Sequence, residues 1–209
     1  MKSAKFDDPT RKSLTTCVRD IEKNTDAELV VIVRGRSGSY RQADFLFGAI
    51  LAFAGLLLLL FSPVAFHEYW VVTEVLLLFL FGSLLSSRGN FLRRLFTSRK
   101  FRAEAVRTGA AAMFYEAGIA NTNSEMGVLV YLSLLEQRLE LIADRGVLKA
   151  VPSQEWNEIL FELHEAGAKP QPDVLLAGLC KLGELLAKHV PATGENPNEL
   201  PDLPRFELK

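Results

Sequence analysis

The chain has only two cysteines in 209 residues, Cys17 and Cys180, and they stand in no metal-like spacing. That argues against a disulfide framework and a zinc site as organising elements; both thiols are expected to stay reduced as small apolar fillers on helix faces, with a redox pair as the minor alternative because nothing nearby in sequence marks a thiolate. Charge imbalance is also missing. With 24 Lys and Arg against 25 Asp and Glu, the net charge is −1, so no global basic field gathers nucleic acid and no nucleic-acid partner is expected. Met1 to Thr10 holds Lys2, Lys5, Asp7 and Asp8 and no apolar run. A secretory signal peptide is therefore not expected there, and any export would need an internal signal. Residues 34–40, Arg-Gly-Arg-Ser-Gly-Ser-Tyr, lack the Gly-Lys-Ser/Thr of a phosphate-binding loop and read as a flexible linker. No serine sits in a nucleophile-elbow pattern, and His164 and His189 have no partner histidine at i+4. No internal repeat is evident.

What the chain does have is a long uncharged stretch. Phe45 to Phe66 carries no charge, and Phe45 to Phe61 is apolar residues and glycine throughout. About 20 helical residues cover a ~30 Å hydrocarbon core, so this segment is long enough to span one. A second run, Tyr69 to Ser87, follows after only His67 and Glu68 and holds one carboxylate, Glu74. So short a connector requires the chain to turn back, with Tyr69 and Trp70 at the level of an interfacial aromatic belt. Residues 44–87 thus read as a transmembrane helical hairpin. Glu74, about one turn into its span, is a candidate intramembrane polar site, although snorkelling or protonation is the plainer reading.

No Lys or Arg lies between Arg41 and Arg88, whereas Arg34, Arg36 and Arg41 precede the hairpin and Arg88, Arg93, Arg94, Arg99, Lys100 and Arg102 follow it. Cationic flanks are retained in the cytoplasm. The expectation is an integral cytoplasmic (inner) membrane protein with both termini inside, and two spans return the chain to its starting side as that requires. A basic amphipathic stretch from Asn90 to Glu116 is closed by Gly118 as a C-cap. Its cations Arg93, Arg94, Arg99, Lys100 and Arg102 are candidate membrane-surface residues, each contributing about 1 kcal/mol on anionic headgroups. Equally, the stretch could only extend the second span and supply the topology signal.

The soluble parts belong together. Asp8 and Pro9 read as the N-cap and first turn of a helix ending near Asn24, and Glu28 to Arg34 is a β-branched strand. One helix and one strand cannot bury a core, so partners must come from beyond the hairpin. Gly127 to Leu134 and Arg138 to Asp144 read as two strands of a hairpin. Helices open at Pro152 with Ser153, through about Ala166, and at Pro172 with Asp173, through His189. The tail from 191 to 209 holds Pro191, Pro197, Pro201 and Pro204 and reads as extended or loosely docked. The fold class is α/β, a small mixed sheet of three or four strands sandwiched by helices. Residues 8–41 and 98–190 form one discontinuous domain with the hairpin inserted into a surface loop.

Residues 25–33, Thr-Asp-Ala-Glu-Leu-Val-Val-Ile-Val, together with 127–133, Gly-Val-Leu-Val-Tyr-Leu-Ser, and 138–146, Arg-Leu-Glu-Leu-Ile-Ala-Asp-Arg-Gly, resemble the TPM domain family. The resemblance covers roughly residues 8–34 and 100–190, and the Glu-Leu-Pro at 199–201 also looks like bacterial membrane-bound members. It implies an α/β/α sandwich. Members include thylakoid-lumen proteins tied to photosystem repair, described as acid phosphatases, and bacterial proteins whose activity is mostly unassigned; some bind a divalent metal such as calcium at acidic loop residues. By matched position Asp144 is the metal-binding residue the resemblance implies, with Glu28 second. The sequence departs from the family in its charge bias toward a cytoplasmic domain, in its internal anchor, and in having only Gly146 after Asp144.

Asn121, Asn123 and Glu125 precede the first hairpin strand and add oxygen donors of the kind Ca²⁺ or Mg²⁺ takes. Yet Asp-Arg-Gly after a strand is also an ordinary turn, and no catalytic residue can be assigned. Three functions are compatible with these residues: an interaction or accessory module in the assembly or repair of another membrane protein's complex, a divalent-metal-dependent (acid) phosphatase, and an anionic-lipid surface sensor. The hairpin itself is testable. The full-length protein should remain in membranes washed with alkaline carbonate, and single cysteines placed beside Arg36 and Arg99 should label from the same side; release by the wash, or labelling from opposite sides, contradicts it.

Overall fold

The computed structural model describes residues 6–63, 67–122, 124–194, 200 and 203–208. Its chain contacts divide into two compact units, residues 38–102 and residues 1–37 with 103–209. Among the described residues are eight α-helices and a four-stranded mixed sheet.

In the larger unit, α1 (Asp8–Glu22) leads into β1 (Glu28–Arg34). The cap of α1 is Asp7 rather than Asp8, because Asp7 has extended backbone and its Oδ1 accepts from Thr10 N at 3.1 Å; Pro9 occupies the first turn. The chain returns through α5 (Arg99–Glu116), whose residues from Ala103 onward belong to this unit, and then β2 (Gly127–Ser133) and β3 (Arg138–Ala143). Three helices follow, α6 (Arg145–Ala150), α7 (Ser153–Ala168) and α8 (Pro172–His189), and the chain ends with β4 (Arg205–Glu207). The strand order is β3-β2-β1-β4. β1 pairs in parallel with both β2 and β4, and β2 pairs antiparallel with β3.

Period-two alternation sorts the strand residues onto two faces. Leu29, Val31, Val33, Val128, Val130, Leu132, Leu139 and Leu141 face one core, closed by Leu14 and Val18 of α1, Ile159 and Leu163 of α7, and Leu179 and Leu182 of α8. Val30, Ile32, Leu129 and Tyr131 face the other, closed by Val106, Ala110 and Phe114 of α5 and by Ile119. The unit is a three-layer α/β/α sandwich. Being covered on both faces is why β1 and β2 read as continuous apolar runs.

Three elements differ from the sequence reading. The tail, read as extended or loosely docked, is paired into the sheet at its end: β4 forms an edge strand, with Gly35 N donating to Glu207 O at 2.8 Å and Arg34 bridging Glu207 at 2.8 Å. Only three residues pair, too short for periodicity to register. The basic stretch from Asn90 to Glu116 is two helices, α4 (Asn90–Leu95) and α5, because Ser98 Oγ accepts from Phe101 N at 3.1 Å and starts a new helix. Gly118 does stand in the left-handed region, at φ 76°, after α5. The turn after Asp144 is the first turn of α6, which the sequence reading passed over.

In the smaller unit, α2 (Arg41–Leu60) and α3 (Glu68–Arg88) lie side by side as an antiparallel pair, and both are long and apolar enough to cross a membrane. Gly48 and Gly82 meet at the contact: a Cβ on Gly82 would come within 3.0 Å of Gly48 Cα. Small residues let the two backbones approach, a packing also common between membrane helices. Large apolar side chains cover the outside, among them Phe53, Leu58, Val72, Leu77 and Leu80. The first helix begins earlier than the apolar run, taking in Arg41 and Asp44.

Gly167, near the end of α7, sits against the backbone of β3, where an added Cβ would lie 2.8 Å from Leu139 Cβ and 2.9 Å from Arg138 C. Gly167→Ala forces α7 off the sheet at a cost of about 1–3 kcal/mol, and should lower the thermal midpoint in detergent by several degrees. An unchanged midpoint would mean that α7 does not rest on β3 there.

Candidate functional site

Two of the residues assigned from sequence to a metal site, Glu28 and Asp144, lie at the same end of the strands flanking β2. Glu28 of β1 is opposite Gly127 of β2, and Asp144 donates its N–H to Gly127 O at 2.8 Å from the other side. Glu28 and Asp144 therefore flank a glycine and stand two strands, about 10 Å, apart. The glycine is required: a Cβ there would come within 2.5 Å of Ile119 Cγ2 and 2.7 Å of Ile119 O. The 3-10 turn Ile119–Asn121 thus lies over Gly127 and leads into the loop carrying Thr122, Ser124 and Glu125. Gly146 N donates to Glu125 O at 2.9 Å, which fastens this loop to the start of α6.

Each sequence-assigned residue has a distinct place here. Asp144 is the N-cap of α6: Oδ1 accepts from Arg145 N at 2.7 Å, while Oδ2 is buried without a hydrogen-bond partner. Glu125 holds a left-handed backbone at φ 52°. Asn121 ends the 3-10 turn, its N–H donating to Gly118 O at 3.0 Å, and Asn123 lies outside the described residues. Glu28 is buried, and its Oε2 accepts from Leu200 N of the tail at 2.7 Å. It ties down the C-terminal segment instead of joining the Asp144 corner.

Sequence reasoning missed two hydroxyls. Thr122 Oγ1 and Ser124 Oγ are buried and unpartnered, like Asp144 Oδ2, and their loop is fastened to the start of α6 through Gly146. Buried polar oxygens without a protein partner are rare in folded proteins and call for an ordered water or a bound group. One carboxylate oxygen, two hydroxyls and nearby carbonyls suit a hard cation of the Ca²⁺ or Mg²⁺ type in chemistry, though with little negative charge. Among the described residues no group of three or more His, Cys, Asp or Glu side chains is arranged to hold a metal. Thr and Ser in a loop carry no spacing signal, so nothing in the sequence distinguished them.

A second polar cluster was missed at the opposite, C-terminal ends of β1 and β2. Ser37 N donates to Glu136 Oε1 at 2.9 Å, Ser37 Oγ donates to Ser133 Oγ at 2.9 Å and lies 2.8 Å from Tyr131 Oη, and Ser133 Oγ donates to Glu136 Oε2. Glu136, Ser133 and Tyr131 are buried. Hydrogen bonding to Tyr131 raises the pKa of Arg34 above its usual value. Ser37, read as part of a flexible linker, is instead clamped to the sheet. The alternation Tyr131-Leu132-Ser133 places both hydroxyls on one face, the one cue the sequence offered.

The membrane-surface residues divide. Arg93 is taken up by an ion pair: its Nη2 binds Asp44 Oδ2 at 2.7 Å and its Nε binds Oδ1 at 3.0 Å, while Ser86 Oγ donates to Asp44 Oδ1 at 2.9 Å. Asp44 and Ser86 are buried, so α4 is fastened to both hairpin helices. A buried pair of this kind is strongly destabilising to break from one side, by about 3–5 kcal/mol. Arg94 and Arg102 each keep a buried Nε without a partner. Burial, and then the neighbouring Arg102, hold the Arg94 pKa below its usual value. Arg99 and Lys100 are exposed, as is Glu74 on α3.

The fold and these residues define an α/β protein whose sheet domain is interrupted by two apolar helices. No family model and no curated protein matches the chain. Among solved structures it is similar to the NMR structure of the BA42 protein from the psychrophilic bacterium Bizionia argentinensis, at TM-score 0.55 and 17% identity, over 95% of this chain and 92% of that one. At that identity the likeness is one of fold.

Proposed function

We propose that the chain is a bacterial inner-membrane protein of TPM-like fold, with both termini in the cytoplasm, whose soluble unit serves as an accessory module for another membrane protein. The carrying observation is the insertion of an apolar helix pair between β1 and α5 of a single α/β/α unit. An anchor in mid-domain ties the domain to the bilayer by two covalent connections, which suits a part held beside a membrane neighbour more than a freely diffusing enzyme. The Lys and Arg flanking the hairpin support the cytoplasmic side, and the sandwich supports the TPM resemblance.

The unpartnered oxygens of Thr122, Ser124 and Asp144 favour a second reading, a divalent-metal phosphatase. Those three would hold the ion, which would supply Lewis acidity toward a phosphoryl oxygen. Arg145, exposed beside Asp144, would attract the phosphate. An anionic-lipid sensor is a third reading, resting on Arg94, Arg99, Lys100 and Arg102 without Arg93.

Native electrophoresis of the protein extracted in mild detergent, with an assay on a generic phosphomonoester in Ca²⁺ or Mg²⁺, separates the first two. The accessory role predicts migration in a complex larger than the chain and no turnover. Turnover that needs metal and is lost in Asp144→Asn, which keeps a capping oxygen for α6, would replace the first reading with the second. For the metal itself, Ca²⁺ or Mg²⁺ should raise the thermal midpoint of the native chain and leave that of Asp144→Asn unchanged.

A further inference from the structure

The two cysteines, far apart in sequence, are neighbours in the fold. α1 and α8 run parallel, since their C-terminal ends meet: Asp26 N donates to Val190 O at 3.2 Å, Thr25 Oγ1 donates to the same carbonyl at 2.5 Å, and Thr25 bridges Pro191. The helices are in close contact where Gly183 faces Ile21, for a Cβ on Gly183 would come within 2.6 Å of Ile21 Cγ1. Cys180 is three residues before Gly183 and Cys17 four before Ile21, so each lies one turn earlier on the same helix face. In a parallel pair those positions meet. Both cysteines line one open groove of about 850 Å³ between the helices, with Cys180 exposed and Cys17 half-buried.

We propose that Cys17 and Cys180 form a disulfide on exposure to peroxide and so cross-link the first and last helices of the sandwich. The exposed Cys180 reacts first: its thiolate attacks one peroxide oxygen, the O–O bond breaks, and Cys180 becomes a sulfenic acid with release of water. Cys17 then attacks the Cys180 sulfur, its proton leaves with the displaced hydroxide as a second water, and the S–S bond forms. Two thiols and one hydrogen peroxide give one disulfide and two waters. Burial, and then the facing Cys180, push Cys17 up to about 12, which makes it slow to react alone and dependent on the proximity that α8 supplies. The same property makes Cys17 a poor leaving group when an outside thiol attacks Cys180, so the bond, once made, is reduced slowly. The cross-link would enclose both sheet cores and the hairpin in one covalent loop, and loops that long gain most from closure.

The test uses the full-length protein in detergent, treated with stoichiometric hydrogen peroxide, alkylated, and digested with trypsin without reduction. The expected product is the peptide Ser13–Arg19 joined to the peptide ending at Lys181, two mass units below the sum of its parts. Maleimide labelling should be lost at both positions and recovered by dithiothreitol, and the thermal midpoint should rise on oxidation. Cys180→Ser should leave Cys17 unoxidised under the same treatment. Sulfinic acid at Cys180 with Cys17 still free, or dimers linked through Cys180 as the main product, would overturn the proposal.

Discussion

The pairing of β1 with β2 is the constraint on which the remaining structure depends. β1 arrives with a single helix, which satisfies Leu29 N through Glu22 Oε1 at 3.0 Å but offers no strand to pair with, so a ladder for its backbone N–H and C=O groups must come from elsewhere in the chain. β2, provided only after the hairpin, supplies a full seven-residue parallel register from Glu28 opposite Gly127 to Arg34 opposite Ser133. Parallel pairing is stable where both faces are covered, and here α1, α7 and α8 cover one face and α5 the other. The hairpin is therefore not an appendage between two domains. It leaves one sandwich after β1 and returns to the same sandwich through α5.

The two ends of this strand pair carry the two polar clusters, for a reason inherent in sheets. Strand interiors are closed by apolar packing, so polar side chains collect where strands begin and end. At the N-terminal end Ile119 lies against Gly127, and Thr122, Ser124 and Asp144 each keep a buried side-chain oxygen unmatched. At the C-terminal edge Ser37, Tyr131, Ser133 and Glu136 satisfy one another. The first leaves its oxygens without a side-chain or backbone partner. The second closes on itself and holds the chain at its departure from the sheet.

Elements with long periodic or uniformly apolar patterns were legible in the sequence: the seven-residue β1, the β2–β3 hairpin, the helices opening at Ser153 and Pro172, and the apolar helix pair. Where a single hydrogen bond or a short segment decides the structure, pattern carries little. Ser98 divides the basic stretch with one cap, Asp144 starts α6 with one carboxylate oxygen, and β4 pairs through only three residues beside prolines. The residues with unmatched oxygens were half legible. Asp144 stood out by resemblance, whereas Thr122 and Ser124 are ordinary loop residues until the backbone brings them beside it. Asp44 belonged to the same class of omission, since its partner Arg93 lies beyond both apolar runs and only the folded hairpin makes them neighbours. Cys17 and Cys180 were read as separate fillers because helix periodicity says nothing about which helices pack together.

Backbone hydrogen exchange of the full-length protein tests the split-domain account most directly, by comparing the amides of Leu29 to Val33 with those of Val128 to Leu132. If β1 is an inner strand of one cooperative sandwich, both sets exchange slowly and lose protection together as denaturant is added. Rapid exchange across Leu29 to Val33 while Val128 to Leu132 remain protected would contradict it, because β1 would then be no part of the sheet that the chain rebuilds after the hairpin.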